Sequence, residues 1–426
     1  MTAAPQQPAP RLGPRPLPLH LASAATVWTS SRVALPLLKN GLLPWRAELA
    51  ATASVLRQGL ADVALEQFAA ALDAELRLRA DAFLSGLERY RHHPYRRAVA
   101  EPPVLWQEGS TRLLDYGPSD GLPLLVIPSL INRAYILDLA PEKSLLRFLS
   151  GAGMRPLLVD WGRPGEIERG FTLTDYIAGR LEAAADAAAS ATGGTPLTVI
   201  GYCMGGLLAL ALAQRRSALV GALALLATPW DFHAERASQA KLMGALAEPL
   251  TRCCAGLGEV PVDLLQALFA ALDPLLALRK FSRLAALPPG SAAEREFVAL
   301  EDWLNDGVPL ALPVARECLG GWYGVNSPAL GHWRVAGTPI LPSRIAAPCL
   351  VVVPAQDRIV PPASAAALAA ALPQAERLEP PLGHIGMMVA GEAPRAVWQP
   401  LADWLTRHAS FRTGSQIRRS ELSKDQ

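Results

Sequence analysis

Charge is scarce in this chain, and what there is nearly cancels. Charged residues make up 18% of the 426, and 40 Lys and Arg against 38 Asp and Glu leave a formal net charge of +2. A basic stripe able to hold nucleic acid by counterion release would show in that balance, so no nucleic-acid partner is expected. There are only five cysteines, at 203, 253, 254, 318 and 349. The odd count and the adjacent pair argue against a disulfide framework and for a reducing, cytoplasmic setting, and the spacings suit no zinc site. No uninterrupted apolar run reaches the ~18 residues of a membrane span, so the chain is not expected to be transmembrane. Its greasiest stretch, Gly205–Trp230, is broken by Gln214-Arg215-Arg216-Ser217. The first residues carry Pro at 5, 8, 10, 14, 16 and 18 and lack the apolar core of a signal peptide, which predicts a disordered lead-in.

Apolar residues, by contrast, make up 51% of the chain, enough for a large core and for some apolar surface as well. The length suits two or three domains. Trp45–Leu87 is rich in Ala, Leu, Glu and Arg at helical spacing and predicts two helices, which Pro94 ends. The run Arg89–Arg97 is the densest basic segment, read as a solvated loop with an anion contact, such as a CoA phosphate, as the alternative. From about residue 101 the pattern changes. Apolar runs at 124–128, 156–160, 197–201, 221–227 and 349–353 read as buried strands, with helices expected at 141–150, 174–191, 204–214 and 363–372. Continuous apolar strands separated by helices imply a parallel sheet covered on both faces.

The informative motif is Leu197-Thr-Val-Ile-Gly-Tyr-Cys-Met-Gly-Gly206, followed by an apolar helix. Strand, Gly-x-Cys-x-Gly-Gly and helix together make a nucleophile elbow, with cysteine where serine is more usual. Side chains at Gly201 or Gly205 would collide with the helix or strand. The turn exposes the Cys203 sulfur at the carboxyl edge of the sheet and at a helix N-terminus, whose partial positive charge favours thiolate. It also aims the Met204 backbone N–H at a developing oxyanion. Asp357 lies just past the strand Val351-Val-Val-Pro, and His384 sits in the Gly-flanked loop Leu382-Gly-His-Ile-Gly386. Nucleophile, acid and histidine in that order is the chain order of α/β-hydrolases. His384 would serve as general base for Cys203, with Asp357 fixing its tautomer. The loop Pro128-Ser-Leu-Ile-Asn-Arg-Ala-Tyr135 supplies the second oxyanion donor in such folds, and the Ile131 N–H is the candidate. His20, His92, His93, His233, His332 and His408 read as structural or solvent-exposed, with His233 noted for its place just after a strand. The other four cysteines read as packing residues.

The expected architecture is therefore an α/β-hydrolase fold, a mostly parallel sheet with helices on both faces. Its parts are a disordered lead-in at 1–20, an N-terminal helical region at 21–100, a core split into 101–229 and 343–411, a mostly helical cap insertion at 230–342 and a polar tail at 412–426.

Several stretches together resemble the poly(3-hydroxyalkanoate) synthases, above all the class III type, whose catalytic chain works with a second subunit. They are 128–139, Val159-Asp-Trp-Gly-Arg-Pro164, Leu173-Thr-Asp-Tyr-Ile177, Gly201–Gly206, Thr228-Pro-Trp-Asp-Phe232, 355–362 and Gly383-His-Ile-Gly386, in the family's order across roughly residues 100–410. The resemblance implies that Cys203 is acylated by an (R)-3-hydroxyacyl-CoA such as 3-hydroxybutyryl-CoA, with His384 as base and Asp357 as its partner. It implies a growing polyester chain, a granule surface in the cytoplasm, a second synthase subunit or a homodimer as partners, and no cofactor or metal. Arg358 stands where many synthases have His, and the N-terminal 100 residues exceed what a class III subunit needs. The competing reading within the fold is a cysteine-nucleophile hydrolase: a thioesterase, polyester depolymerase or lactone hydrolase. A non-catalytic granule scaffold is the third, and the intact Cys203, Asp357 and His384 set argues against it.

Overall fold

A computed structural model describes residues 11–408. The 412–426 tail and the first ten residues of the lead-in lie outside that range. The described chain divides into two compact units, one of residues 11–96 with 266–305 and the other of 97–265 with 306–408.

The larger unit is built on eight strands: β1 (Val104–Glu108), β2 (Thr111–Asp115), β3 (Leu122–Ile127), β4 (Met154–Asp160), β5 (Leu197–Tyr202), β6 (Val220–Leu226), β7 (Cys349–Val352) and β8 (Ala375–Leu378). They pair in the order β1-β2-β4-β3-β5-β6-β7-β8. The β1–β2 and β2–β4 pairings are antiparallel, and every other pairing is parallel. β5 and β6 are buried along their whole length, which requires cover on both faces. Helices Leu145–Gly151, Glu182–Ala191, Met204–Arg215 and Pro362–Ala371 accompany these strands. This is the α/β-hydrolase fold. Apolar runs marked the five central strands; β1, β2 and β8 carry too much charge to be read that way. In β8, Glu376 and Arg377 are exposed, as suits a sheet edge.

The smaller unit is helical. Helices Leu17–Lys39, Ala50–Gly59 and Leu65–Arg91 are joined by Leu276–Ala286 and Ala292–Asn305 from much later in the chain. Phe83, Tyr90, Phe281 and Val298 form its core. Gly86 lets two helices approach closely, because a Cβ there would lie 1.9 Å from the Phe281 carbonyl oxygen. Two sequence expectations are corrected here. The 230–342 insertion is not one cap, since its middle section packs with the N-terminal helices through contacts that no local pattern reveals. Nor is the lead-in disordered from residue 11 onward. Gly13 and Pro14 are buried, a helix starts at Leu17, and Arg11 holds Asp302 at 2.8 Å and the Tyr95 carbonyl at 2.6 Å. Proline at 16 and 18 is compatible with a helix start, where its missing N–H has no partner to lose.

Among the described residues, no helix is long and apolar enough to cross a membrane.

Candidate active site

Cys203 lies between β5 and helix Met204–Arg215 with φ 56° and ψ −126°. A non-glycine residue held there is strained by on the order of 1–3 kcal/mol. The flanking glycines make the turn possible. A Cβ at Gly205 would lie 2.1 Å from the Ile127 carbonyl oxygen, and one at Gly201 would lie 2.5 Å from the Gly206 Cα. One at Gly206 would meet the Thr228 hydroxyl at 1.8 Å. Strand and helix thus touch backbone to backbone, and the sulfur is left half-buried at the carboxyl end of β5.

His384 and Asp357 arrive from loops that follow β8 and β7. The β7–β8 ladder continues beyond the strands: Val353 donates to Leu378, Ala355 to Pro380 and Gln356 to Leu382 through their backbones. That zipper sets the two loops side by side, with His384 Nδ1 2.7 Å from Asp357 Oδ2. Asp357 Oδ1 accepts from the Ile359 and Val360 N–H groups at 2.8 and 2.9 Å, so both carboxylate oxygens are engaged. Burial works against the His384 imidazolium. The Cys203 sulfur and the Asp357 carboxylate outweigh it, each by charge and by hydrogen bond, and push the group up to about 10. The structure therefore brings Cys203, His384 and Asp357 together.

The two oxyanion candidates differ. Met204 is the first residue of its helix, so its N–H has no intrahelical acceptor. The Ile131 N–H donates to Ser129 Oγ at 3.0 Å and is already in use.

Other residues around Cys203 carried no sequence signal of their own. The Tyr202 hydroxyl donates to the His384 backbone carbonyl at 3.2 Å. Tyr323 is half-buried and near enough to feel Cys203; desolvation first, then the Cys203 and Cys318 charges, keep its phenol protonated. Phe232 packs edge-on against Tyr323 at 4.9 Å. His233 does not join the Cys203 group: its Nε2 lies 2.8 Å from the Tyr323 carbonyl oxygen. Asn326, at φ 60°, ties this layer together by donating to Asp231 at 2.8 Å and accepting from the Phe232 N–H at 2.9 Å.

The basic run is largely consumed by structural bonds. Arg89 pairs with Glu294 at 2.6 Å within the helical unit, and Arg97 reaches the Asp138 carbonyl at 2.7 Å within the larger one. Of the remaining cysteines, 254, 318 and 349 are buried, whereas Cys253 is exposed and is not a packing residue.

Residues 123–247 match the family model of the alpha/beta hydrolase fold. Residues 96–149 match that of the poly-beta-hydroxybutyrate polymerase (PhaC) N-terminus. Among curated proteins, the chain is 29% identical over 318 residues to the poly(3-hydroxyalkanoate) polymerase subunit PhaC of Allochromatium vinosum, covering 72% of this chain and 88% of that one. The Synechocystis sp. protein of the same name is 28% identical over 341 residues, covering 76% and 90%. The Haloferax mediterranei one is 28% identical over 322 residues, and the match spans 73% of this chain but only 64% of the longer relative. These matches run through the elbow and the sheet that carries it, and they agree with one another in the family they name. Over most of its length the chain is similar to poly(3-hydroxyalkanoate) polymerase subunits, and its central part matches the alpha/beta hydrolase fold.

Proposed function

We propose that this chain polymerises (R)-3-hydroxyacyl units from their CoA thioesters through an acyl-enzyme on Cys203. The observation that carries the proposal is the His384–Asp357 bond at 2.7 Å beside a strained cysteine elbow, in a chain similar to poly(3-hydroxyalkanoate) polymerase subunits. The raised His384 supports an imidazolium beside Asp357, and the proposed cycle starts from it as an imidazolium–thiolate pair with Cys203. In the first step the Cys203 sulfur attacks the thioester carbonyl. The bond to the CoA sulfur breaks, and the departing thiolate takes the His384 proton. In the second step the 3-hydroxyl of another unit gives its proton to His384 as its oxygen attacks the acyl carbon. The Cys203 sulfur leaves as thiolate, and an ester is formed. The imidazolium–thiolate pair is thereby restored, with every proton accounted for. Exchange of one thioester for another is close to isoenergetic, and the acyl-cysteine stays reactive toward an alcohol without a metal or a redox group. The Met204 N–H would bind the oxyanion in both steps. Ile131 would join it only after releasing Ser129.

Water must lose to the hydroxyl for polymer to form. The aromatic layer of buried Phe232 and Trp322 with half-buried Tyr323 supports that outcome. The test is purified protein with 3-hydroxybutyryl-CoA, following free thiol and acid-insoluble product together. Thiol release with polymer accumulating is expected, and Cys203→Ala should abolish both while the protein still folds. Thiol release that yields only free hydroxy acid would make the chain a hydrolase instead.

A further inference from the structure

The nucleophile and the base come from places 182 residues apart in the chain when measured from Tyr202 to His384, yet one side chain joins them directly. Tyr202 ends β5 and precedes Cys203 by one peptide bond. Its hydroxyl donates to the His384 backbone carbonyl at 3.2 Å, and its ring lies 5.3 Å from the imidazole, centroid to centroid, tilted by 33°. Tyr202 is 4% exposed and His384 6%, so neither contact is shared with bulk solvent.

We propose that Tyr202 is a positioning residue for His384, clamping its backbone with the hydroxyl and backing its imidazole with the ring. The inference rests on the reading of His384 as the base. Asp357 and the Cys203 sulfur hold the imidazole only at its edge, and a ring held at its edge can still tilt out of its plane. The histidine's own loop adds little stiffness, because Gly383 and Gly386 bracket it. Tyr202 supplies two further points of restraint, and both originate on the rigid strand end that carries the nucleophile. The separation between base and sulfur is then set by β5, and motion of the histidine loop does not change it. The phenol is held protonated by burial and by the neighbouring charges of Cys203 and Asp357, so it remains a donor throughout the working pH range.

The experiment compares the full-length protein with Tyr202→Phe, Tyr202→Leu and, as a control, His384→Gln. Three quantities are read: alkylation of Cys203 by iodoacetamide across pH, resolved by peptide mass spectrometry; the melting temperature; and kcat and KM with 3-hydroxybutyryl-CoA. Tyr202→Phe keeps the ring and should melt close to wild type. It should alkylate Cys203 about fivefold more slowly at neutral pH, the loss expected of one neutral hydrogen bond. Its kcat should fall by a similar factor with KM unchanged, and Tyr202→Leu should lose more of both. A merely structural tyrosine would lower the melting temperature without moving the alkylation profile, so superimposable Tyr202→Phe and wild-type profiles overturn the proposal. His384→Gln alkylating like wild type would instead overturn the assignment of the base. Alkylation needs no polymer, so the two failures are distinguishable.

Discussion

Asp357→Asn changes one atom of the carboxylate and tests its part in the mechanism. The Oδ1 position accepts two backbone N–H groups and Oδ2 faces His384 Nδ1. The asparagine carbonyl oxygen must keep the two backbone bonds, because turning the amide around would set its NH2 against two donors. The amide nitrogen therefore faces Nδ1 and forces it to accept. The ring proton moves to Nε2, the nitrogen that has to take a proton during acyl transfer. A wrong-tautomer histidine of this kind costs on the order of 10⁴ in kcat in the serine-protease triad. Here we expect roughly 10³–10⁴, since a thiolate leans on its base less than an alkoxide does. The same substitution removes two of the influences that raise His384. A group raised in the folded state stabilises fully below its unfolded value of about 6.5, and that contribution is lost as pH rises through the folded one. Wild-type melting temperature should therefore decline between pH ~6.5 and about 10, and Asp357→Asn should flatten that decline. Single-turnover acylation and thermal melts across pH measure both effects. A variant with near-wild-type kcat, or one with an unchanged pH–stability curve, would refute the assignment of Asp357.

Other outcomes follow from the same geometry. Gly205→Ala drives a methyl group into the Ile127 carbonyl, and backbone cannot step aside as a side chain can, so we expect a loss of about 1–3 kcal/mol in chemical denaturation and a misplaced sulfur. Cys203→Ser should fold normally but acylate at least ~10²-fold more slowly, since a hydroxyl depends far more on its base; rapid-quench measurement of acyl-enzyme reads this directly. Ser129→Ala frees the Ile131 N–H, and if that group serves the oxyanion, kcat/KM should rise by a few-fold; a fall would remove Ile131 from the site.

How much of this was legible in the sequence depended on whether the cause was local. The central strands announced themselves because burial on both faces favours unbroken apolar runs, as in Leu124–Ile127 and Ala222–Leu226. The elbow was legible because the close approach at Gly201 and Gly205 excludes every other residue type. Strand β8 was not, because an edge strand tolerates Glu376 and Arg377 on its open faces. The partnership of His384 with Asp357 could be guessed from chain order, but the backbone zipper that creates it, from Val353 to Gln356, involves no distinctive side chain. Long-range packing was the least legible. Nothing near Phe281 reveals that it closes on Gly86, and so the 230–342 segment read as a single piece. Ile131 had a suitable place in the chain, but the acceptor for its N–H, the Ser129 hydroxyl two residues away, went unnoticed.

The sheet's topology also fixes when the chemistry becomes possible. β6 ends at residue 226, and its neighbour β7 begins at 349, with the acid and base later still. A ribosome emits the elbow and its cysteine well before the strands that will bring an imidazole beside it. Contacts of such long sequence separation form late and slowly. A chain halted between residues 203 and 384 therefore carries the thiol but not the histidine beside it, and on the mechanism proposed above it lacks its base. On that mechanism, reactivity waits for the late loops that set Asp357 and His384 beside Cys203.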